Sequence, residues 1–270
     1  MLLSACAPIE DRPGSRTFDG SKPLYEFSES ELDALLVACA TDNLAVPDRA
    51  VRFASKFVGQ PYRLHLLGEF PYETYDSDPL YCLSASDCVT FVENVYAMSM
   101  ARDWSSFFDR LMRLRYKDAR IGILTRNHFT EADWNVNNEW AFDDVTNQMA
   151  PEAIRPMRIA VDRAAFFRKY GMGDTIPVQI FKTTYIPRSA LASVETRLKP
   201  GDIVEFVRGT REAPYVGHMG LIGEKKAGRM LLIHSAEPRV REEPLRDYVE
   251  ASTKILGVKI LRYRLDPTAE

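Results

Sequence analysis

The order of its periodic patterns is the feature that most constrains how this chain can fold. Between about residues 28 and 116, apolar residues recur three and four positions apart, which is the spacing of one helical face. The predicted helices lie at about 28–39, 48–58, 88–96 and 103–116. After the turn pattern Lys199-Pro200-Gly201-Asp202, short apolar runs predict strands near 203–207, 216–222, 230–235 and 258–263. Helices followed by antiparallel strands indicate an α+β fold.

The rest of the chain is less regular. Further helices are predicted at 162–170, 189–198 and 245–252. The connection at 63–86 is long for a compact domain, and loops of that length are usually functional. No linker is evident, so residues 25–270 are predicted to form a single domain. A hydrophobic share of 46% supports a core of that size, and the net charge of -3 gives no basic bias toward nucleic acid.

Residues 1–24 are predicted to be a tether, because prolines and glycines recur in them. Within this segment, Leu3-Ser4-Ala5-Cys6 has the form of a lipoprotein signal cleavage site. Only Met1 and Leu2 precede it, whereas a secretory signal needs a basic region and an apolar stretch. Either the match is chance, or the segment is the remnant of a truncated signal and Cys6 is a lipid-anchor site.

The stretch from Ser86 to Tyr96 predicts a helix with a thiol at its start. Ser86 and Asp87 are residue types that cap helix N-termini, and an apolar helical pattern follows them. Cys88 then lies in the first turn, where free N–H groups and the helix dipole favour an anion. A thiol in that position is biased toward the nucleophilic thiolate. The alternative is a buried cysteine that acts as a small apolar residue.

The other cysteines predict no metal site, because Cys6, Cys39, Cys82 and Cys88 contain no CxxC pair. A disulfide between Cys82 and Cys88 would consume the thiol at the helix start, and we do not predict it. Cys39 ends an amphipathic pattern and is expected to lie in the core.

Two histidines fall on neighbouring predicted strands. His218 and His234 can be cross-strand neighbours, and a thiol nucleophile needs an imidazole base that a third group orients. Gly217 and Gly220 beside His218 would let a helix end or a substrate approach closely. Taken singly, each histidine is more typical of a strand residue with an ordinary hydrogen bond.

Together these motifs resemble the NlpC-type cell-wall cysteine peptidases, a papain-like superfamily. The matching elements are Gly59-Gln60-Pro61-Tyr62, Asp87-Cys88, Pro200-Gly201-Asp202-Ile203-Val204, His218-Met219-Gly220 and Ile233-His234-Ser235. More narrowly, Asp87–Asn94, Arg126–Phe129 and Gly217–Ile222 resemble an N-acetylmuramoyl-L-alanine amidase-like subfamily, and the likeness covers roughly residues 45–265. The chain departs from the superfamily at Val89-Thr90, where the usual glycine is absent, and in its long 63–86 connection.

The resemblance implies a papain-like fold and a set of roles. Cys88 would be the nucleophile, His218 its base and His234 the residue that orients the base. The Cys88 amide would stabilise the oxyanion, and such a donor contributes about 2.7–4 kcal/mol. No cofactor or metal is implied. The implied substrate-binding residues are Tyr62, Asp87, Arg126 and Asn127, with Arg63 as a further candidate partner of substrate carboxylates.

The function that the resemblance implies is hydrolysis of an amide bond in peptidoglycan, in the periplasm or cell envelope. The favoured bond joins N-acetylmuramic acid to L-alanine, and the alternative joins γ-D-glutamate to diaminopimelate. A thiol acyl or amide transferase and a non-catalytic cell-wall binding module are the other classes considered. Residues 126–138 fit either a surface loop held by Asn and Asp turns or the wall of a substrate cleft.

Overall fold

The computed structural model describes residues 22–173 and 175–265. The predicted tether therefore lies outside the described residues except for positions 22–24, and Cys6 lies outside them. The α-helices of the described part are α1 (Glu29–Cys39), α2 (Val46–Lys56), α3 (Cys88–Met100), α4 (Trp104–Arg115), α5 (Asn135–Asn137), α6 (Thr146–Met149), α7 (Arg163–Phe167), α8 (Leu191–Val194) and α9 (Leu245–Glu250). Its strands are β1 (Phe142–Asp144), β2 (Arg155–Val161), β3 (Gln179–Pro187), β4 (Ile203–Gly209), β5 (Pro214–Lys226), β6 (Arg229–Ala236), β7 (Arg239–Pro244) and β8 (Ile255–Tyr263).

These strands form one antiparallel sheet in the order β2-β3-β8-β4-β5-β6-β7, with β1 also paired to β8. The last strand in sequence, β8, thus lies in the middle of the sheet, between β3 and β4. The hairpin of β5 and β6 turns at Ala227-Gly228, between the strands predicted near 216–222 and 230–235, and both residues have positive φ. The expected α+β arrangement is therefore confirmed.

Helices cover both faces of the central strands. Because side chains alternate along a strand, Leu221 and Ile233 pack against α1 to α4, whereas Ile222 and Leu232 pack against the opposite layer with α6, α8 and α9. Burying one such side chain contributes about 1.5–3 kcal/mol. Cys39 lies in the first of these cores, as predicted.

The long helices begin where the sequence predicts them. The Ser28 side chain and Glu31 form a capping box at the start of α1. Asp103 caps α4 through the backbone N–H of Ser106, at 2.7 Å. α3 is the central helix, and every residue from Thr90 to Ser99 is buried. None of the described helices is long and apolar enough to span a membrane.

Strands β1, β2, β3 and β7 were not predicted, and their burial explains why. Most residues of β2 and β3 are exposed or only partly buried, so the ribbon that they form shows no apolar alternation in its sequence. β7 reads Arg-Val-Arg-Glu-Glu-Pro, which is a charged run with a single buried residue, Val240.

Candidate active site

The N-terminus of α3 is built around the side chain of Asp87. Its Oδ1 atom accepts hydrogen bonds from the N–H groups of Val89 and Thr90, at 3.0 and 2.8 Å. The Thr90 hydroxyl accepts in return from the Asp87 N–H at 2.9 Å, which completes a capping box. Cys88 is thus the first helical residue, as predicted, and it is half-buried. The Asp87 carboxylate thus holds the start of α3 through Oδ1, and its predicted part in substrate binding stays a prediction.

Backbone hydrogen bonds join this helix start to the sheet through the segment Gly59-Gln60-Pro61-Tyr62. On one side, the Ser86 N–H donates to the carbonyl of Pro61 at 3.1 Å. On the other side, Val240 of β7 exchanges two bonds with the segment: its carbonyl accepts from Gly59 at 2.9 Å, and its N–H donates to Gln60 at 2.8 Å. Gly59 has a φ of 99°, a conformation that favours glycine. The motif is therefore a structural bridge between α3 and β7.

A buried side-chain network strengthens this bridge. The Ser86 Oγ lies 2.5 Å from the Oε1 of Gln60 and 3.0 Å from the Oγ of Ser235. The Ser235 hydroxyl also donates to the Ser86 carbonyl at 2.9 Å. All three residues are buried, so loss of any one would leave unpaired polar atoms in the core. Because Ser235 follows His234, the network fixes the start of α3 relative to that histidine.

The sulfur of Cys88 lies against β5. It contacts the backbone N–H of Met219, the residue after His218. Burial and then the nearby Asp87 carboxylate raise the pKa of the Cys88 thiol to about 12, although the N–H groups of Met219, Cys88 and Val89 act in the opposite direction. The predicted bias toward thiolate is therefore wrong for this resting state, because desolvation outweighs the helix terminus.

His218, His234 and Glu243 form a chain of short hydrogen bonds across β5, β6 and β7. The Nε2 of His218 lies 2.7 Å from the Nδ1 of His234, and the Nε2 of His234 lies 2.9 Å from the Oε1 of Glu243. Arg241 donates from Nε to the same carboxylate oxygen at 2.6 Å. The predicted pairing of the two imidazoles across adjacent strands is confirmed, and Glu243 is a third member that the sequence did not reveal.

The chain fixes which nitrogens carry protons. Burial alone would raise the pKa of Glu243, but hydrogen bonds from Arg241 and then from His234 more than offset it and lower the pKa. An ionised carboxylate only accepts, so the proton of His234 sits on Nε2. Its Nδ1 then accepts from the Nε2–H of His218, which leaves the Nδ1 of His218 as an unprotonated base.

Aromatic rings enclose both imidazoles and keep them neutral. His218 packs on Phe206 with ring centroids 5.6 Å apart, and Tyr248 of α9 lies 4.7 Å from His234 and 5.8 Å from His218. Burial, the largest cause, lowers the pKa of His218 well below its usual value and that of His234 to about 4. The resting site thus pairs a neutral thiol with a neutral imidazole.

The raised pKa of Cys88 has a measurable consequence. At pH 8 we expect iodoacetamide to alkylate Cys88 of the folded Cys82→Ala protein about 10- to 100-fold more slowly than the same residue in the urea-unfolded chain. A higher pKa lowers the thiolate fraction more than it raises the reactivity of each thiolate. Mass spectrometry of the Cys88 peptide between pH 6 and 10 measures the rates. Fast, pH-independent alkylation below pH 7 would instead indicate a thiolate–imidazolium pair.

Two glycines next to His218 make room for side chains of the protein. A Cβ atom on Gly220 would lie 2.8 Å from the Cβ of His234, so the missing side chain lets His234 approach His218. A Cβ on Gly217 would lie 2.8 Å from the Cδ of Arg208. The predicted approach of a helix end or a substrate at these glycines is therefore replaced by close packing of His234 and Arg208.

Tyr62 lies at the site, as predicted. Its backbone N–H donates to the carbonyl of Pro238 at 3.0 Å, in the turn between β6 and β7. Burial, followed by the proximity of Cys88 and Asp87, raises the pKa of Tyr62 to about 12. The phenol is thus a protonated hydrogen-bond donor near the sulfur. The neighbouring Arg63 is exposed, and its predicted contact with substrate stays a prediction.

Arg126 and Asn127 have partners within the protein. Arg126 donates from Nη1 to the carbonyl of Leu67 at 2.8 Å and from Nη2 to Asp76 at 2.9 Å. Asn127 donates to the carbonyl of Leu114 at 2.9 Å. These contacts hold the 63–86 connection and the end of α4, and substrate binding by Arg126 and Asn127 stays a prediction. His128 packs on Phe166 and Phe167.

The sequence did not single out Glu243, Tyr248 or Arg208. For Tyr248, the sequence indicated only that it lies in the predicted helix at 245–252. Glu243 lies in a charged run without an apolar alternation, and only the pairing of β6 with β7 brings it to His234. Within the described residues, no group of three His, Cys, Asp or Glu side chains is placed to hold a metal ion.

Fold and site together define an α+β protein whose antiparallel sheet carries two hydrogen-bonded imidazoles beside a thiol at a helix N-terminus. A family model described as AmiA-like, N-acetylmuramoyl-L-alanine amidase-like, matches residues 52–257. The chain belongs to this amidase-like family.

Solved structures share the fold. A Legionella pneumophila protein of the DUF1460 family matches with a TM-score of 0.76 and 23% identity, over 87% of this chain and 94% of that one. An N-acetylmuramoyl-L-alanine amidase from Bacteroides uniformis matches with a TM-score of 0.64 and 23% identity, over 81% of this chain and 99% of that one. A search of curated proteins found no match.

Proposed function

We propose that this protein is a cysteine-dependent amidase that hydrolyses the bond between N-acetylmuramic acid and L-alanine in peptidoglycan. The observation that carries the proposal is the hydrogen-bonded chain from Glu243 through His234 to His218, which leaves the Nδ1 of His218 unprotonated. His218 directly precedes Met219, whose backbone N–H contacts the Cys88 sulfur. Membership of the amidase-like family supports the choice of bond. The motifs that resemble NlpC-type peptidases support a place in that papain-like superfamily.

In the first half of the reaction, the Nδ1 of His218 takes the thiol proton as the Cys88 sulfur attacks the amide carbonyl carbon. Since both groups are neutral at rest, the proton moves with the attack and not before it. The oxyanion would accept hydrogen bonds from the Cys88 N–H and from the Tyr62 hydroxyl. The positive charge on His218 is stabilised by the Glu243 carboxylate, through His234.

In the second half, the imidazolium of His218 protonates the L-alanine nitrogen, and the C–N bond breaks. The muramoyl group remains on Cys88 as a thioester, and the freed amine carries the stem peptide away. His218 then deprotonates a water molecule, which attacks the thioester carbonyl and releases the carboxylate product with the thiol restored.

The proposal places the protein in the periplasm or cell envelope, where peptidoglycan lies. Cys6 would serve as a lipid anchor only if a complete signal peptide precedes it in the gene, and it lies outside the described residues. Acyl labelling of the protein expressed with its native upstream sequence tests this part independently of the enzymatic assay.

Digestion of purified peptidoglycan by the wild-type protein tests the reaction. We expect mass spectrometry to find glycans without peptide, together with stem peptides that begin at a free L-alanine amine. These two products arise from the proposed bond alone. A heat-denatured sample of the same protein provides the control.

Other products would contradict the proposal in distinct ways. Muropeptides that end at γ-D-glutamate would show cleavage before diaminopimelate, the alternative bond. Transfer of the acyl group to an added amine in preference to water would show a transferase. Binding to sacculi without any cleavage by the wild-type protein would show a cell-wall binding module.

A further inference from the structure

Arg208 is a cation at the candidate site that the proposed reaction does not use. It lies on β4, two residues beyond Phe206 and so on the face that carries the two histidines. Its aliphatic stem crosses Gly217, and its Nη2 donates to the Tyr248 hydroxyl at 3.0 Å. The guanidinium is therefore held beside the ring that covers both imidazoles.

Within the described residues, the positive charge of Arg208 has no anionic partner. Its Nε is buried and forms no hydrogen bond, and no carboxylate of residues 22–173 or 175–265 makes an ion pair with it. The neighbouring Arg241, in contrast, pairs with Glu243 at 2.6 Å. Its stem against Gly217 and its bond to Tyr248 place the charge of Arg208 beside the ring that packs on His218 and His234. The charge also opposes the rise in the Tyr62 pKa.

A half-buried guanidinium without an anion is costly, because burial removes water that its N–H groups would otherwise bind. Arginine suits carboxylates, since its planar fork can donate two parallel hydrogen bonds to the two oxygens. One donor of Arg208 is engaged by Tyr248, which orients the fork and leaves its other donors for a ligand.

We propose that Arg208 binds a substrate carboxylate, the α-carboxylate of the γ-linked D-glutamate in the stem peptide. This inference rests on the proposed function. In the proposed cleavage, that carboxylate belongs to the residue after the L-alanine whose amide bond lies at Cys88, so it lies on the leaving-group side, one residue from the reacting atoms. Arg208 thereby selects stems in which this carboxyl group is free and not amidated.

Binding to the Cys88→Ala protein tests the contact without requiring catalysis. Two soluble muramoyl tripeptides are titrated by calorimetry, identical except that the D-glutamate α-carboxyl is free in one and a carboxamide in the other. We expect amidation and Arg208→Met each to weaken binding about 10- to 100-fold, and the two changes together to weaken it no further. Arg208→Lys should keep part of the preference for the free carboxyl.

Arg211→Met is the matched control, because Arg211 is an exposed arginine in the turn before β5 and should leave the preference intact. Equal weakening of both peptides by Arg208→Met would overturn the proposal and assign Arg208 to supporting Tyr248. The proposal would also be overturned if Arg208→Met left the affinity for both peptides unchanged, or if neither peptide bound to the Cys88→Ala protein. If amidation and Arg208→Met weaken binding non-additively but the wild-type protein cleaves nothing, the proposed reaction is refuted and the contact of Arg208 with the carboxylate still holds.

Discussion

Replacing Cys88 with alanine is expected to lower kcat for muropeptide hydrolysis at least about 10⁴-fold. The proposed reaction passes through a thioester, and alanine has no atom that can form one. The remaining imidazoles and N–H donors would still bind substrate, so the Kd for the muropeptide should change little. Product formation over hours, followed by mass spectrometry, gives the rate.

The matched control is Cys82→Ala, which removes the other unbridged thiol of the described residues. It should retain nearly full activity, because the partner of Cys82 is the Ser84 hydroxyl and not a residue of the proposed catalytic set. Thermal unfolding of both variants checks that neither loses the fold. A Cys88→Ala protein that cleaves at more than a few per cent of the wild-type rate would rule out covalent catalysis by this thiol and would favour a water activated by His218.

Changing Glu243 to glutamine is expected to lower kcat by about 10²- to 10⁴-fold with little change in KM. A carboxamide can present an N–H group to the Nε2 of His234, and the proton of that ring then moves to Nδ1. His234 would donate to His218, whose proton would shift to its own Nδ1, and the base would be lost. Glu243 is a positioning residue, since it acts through His234.

Two measurements separate this effect from a general loss of structure. Nitrogen-15 NMR of the histidine rings should show the tautomers exchanged in Glu243→Gln. The control is Glu242→Gln, the same change on an exposed neighbour in β7, which should leave kcat and the histidine spectra as in the wild type. Similar small effects of both variants, or an unchanged tautomer, would contradict the role assigned to Glu243.

The features that the sequence predicted are those set by local rules. The capping types at Ser86-Asp87, the apolar spacing after Cys88 and the alternation around His218 and His234 depend on neighbours in the chain, and all of these elements formed where expected. The proximity of the two histidines followed from the pairing of the neighbouring strands predicted near 216–222 and 230–235.

What the sequence missed depends on contacts between distant segments. The Cys88 pKa reflects burial against β5, which a helix-terminus argument does not include. Arg126 matches a motif, yet Leu67 and Asp76 of a distant loop take its donors. Glu243 reaches His234 through strand register, and its charged neighbourhood gives no periodicity from which that strand could be recognised.

The position of β8 at the centre of the sheet affects how such a molecule is made on the ribosome. Until residues 255–263 have been synthesised, β4 keeps one edge without hydrogen-bond partners, next to the strand that bears His218. Nascent or prematurely terminated chains therefore expose an unpaired edge strand and are candidates for aggregation or proteolysis. The proposed activity would thus require that residues 255–263 have been synthesised and have paired with β4.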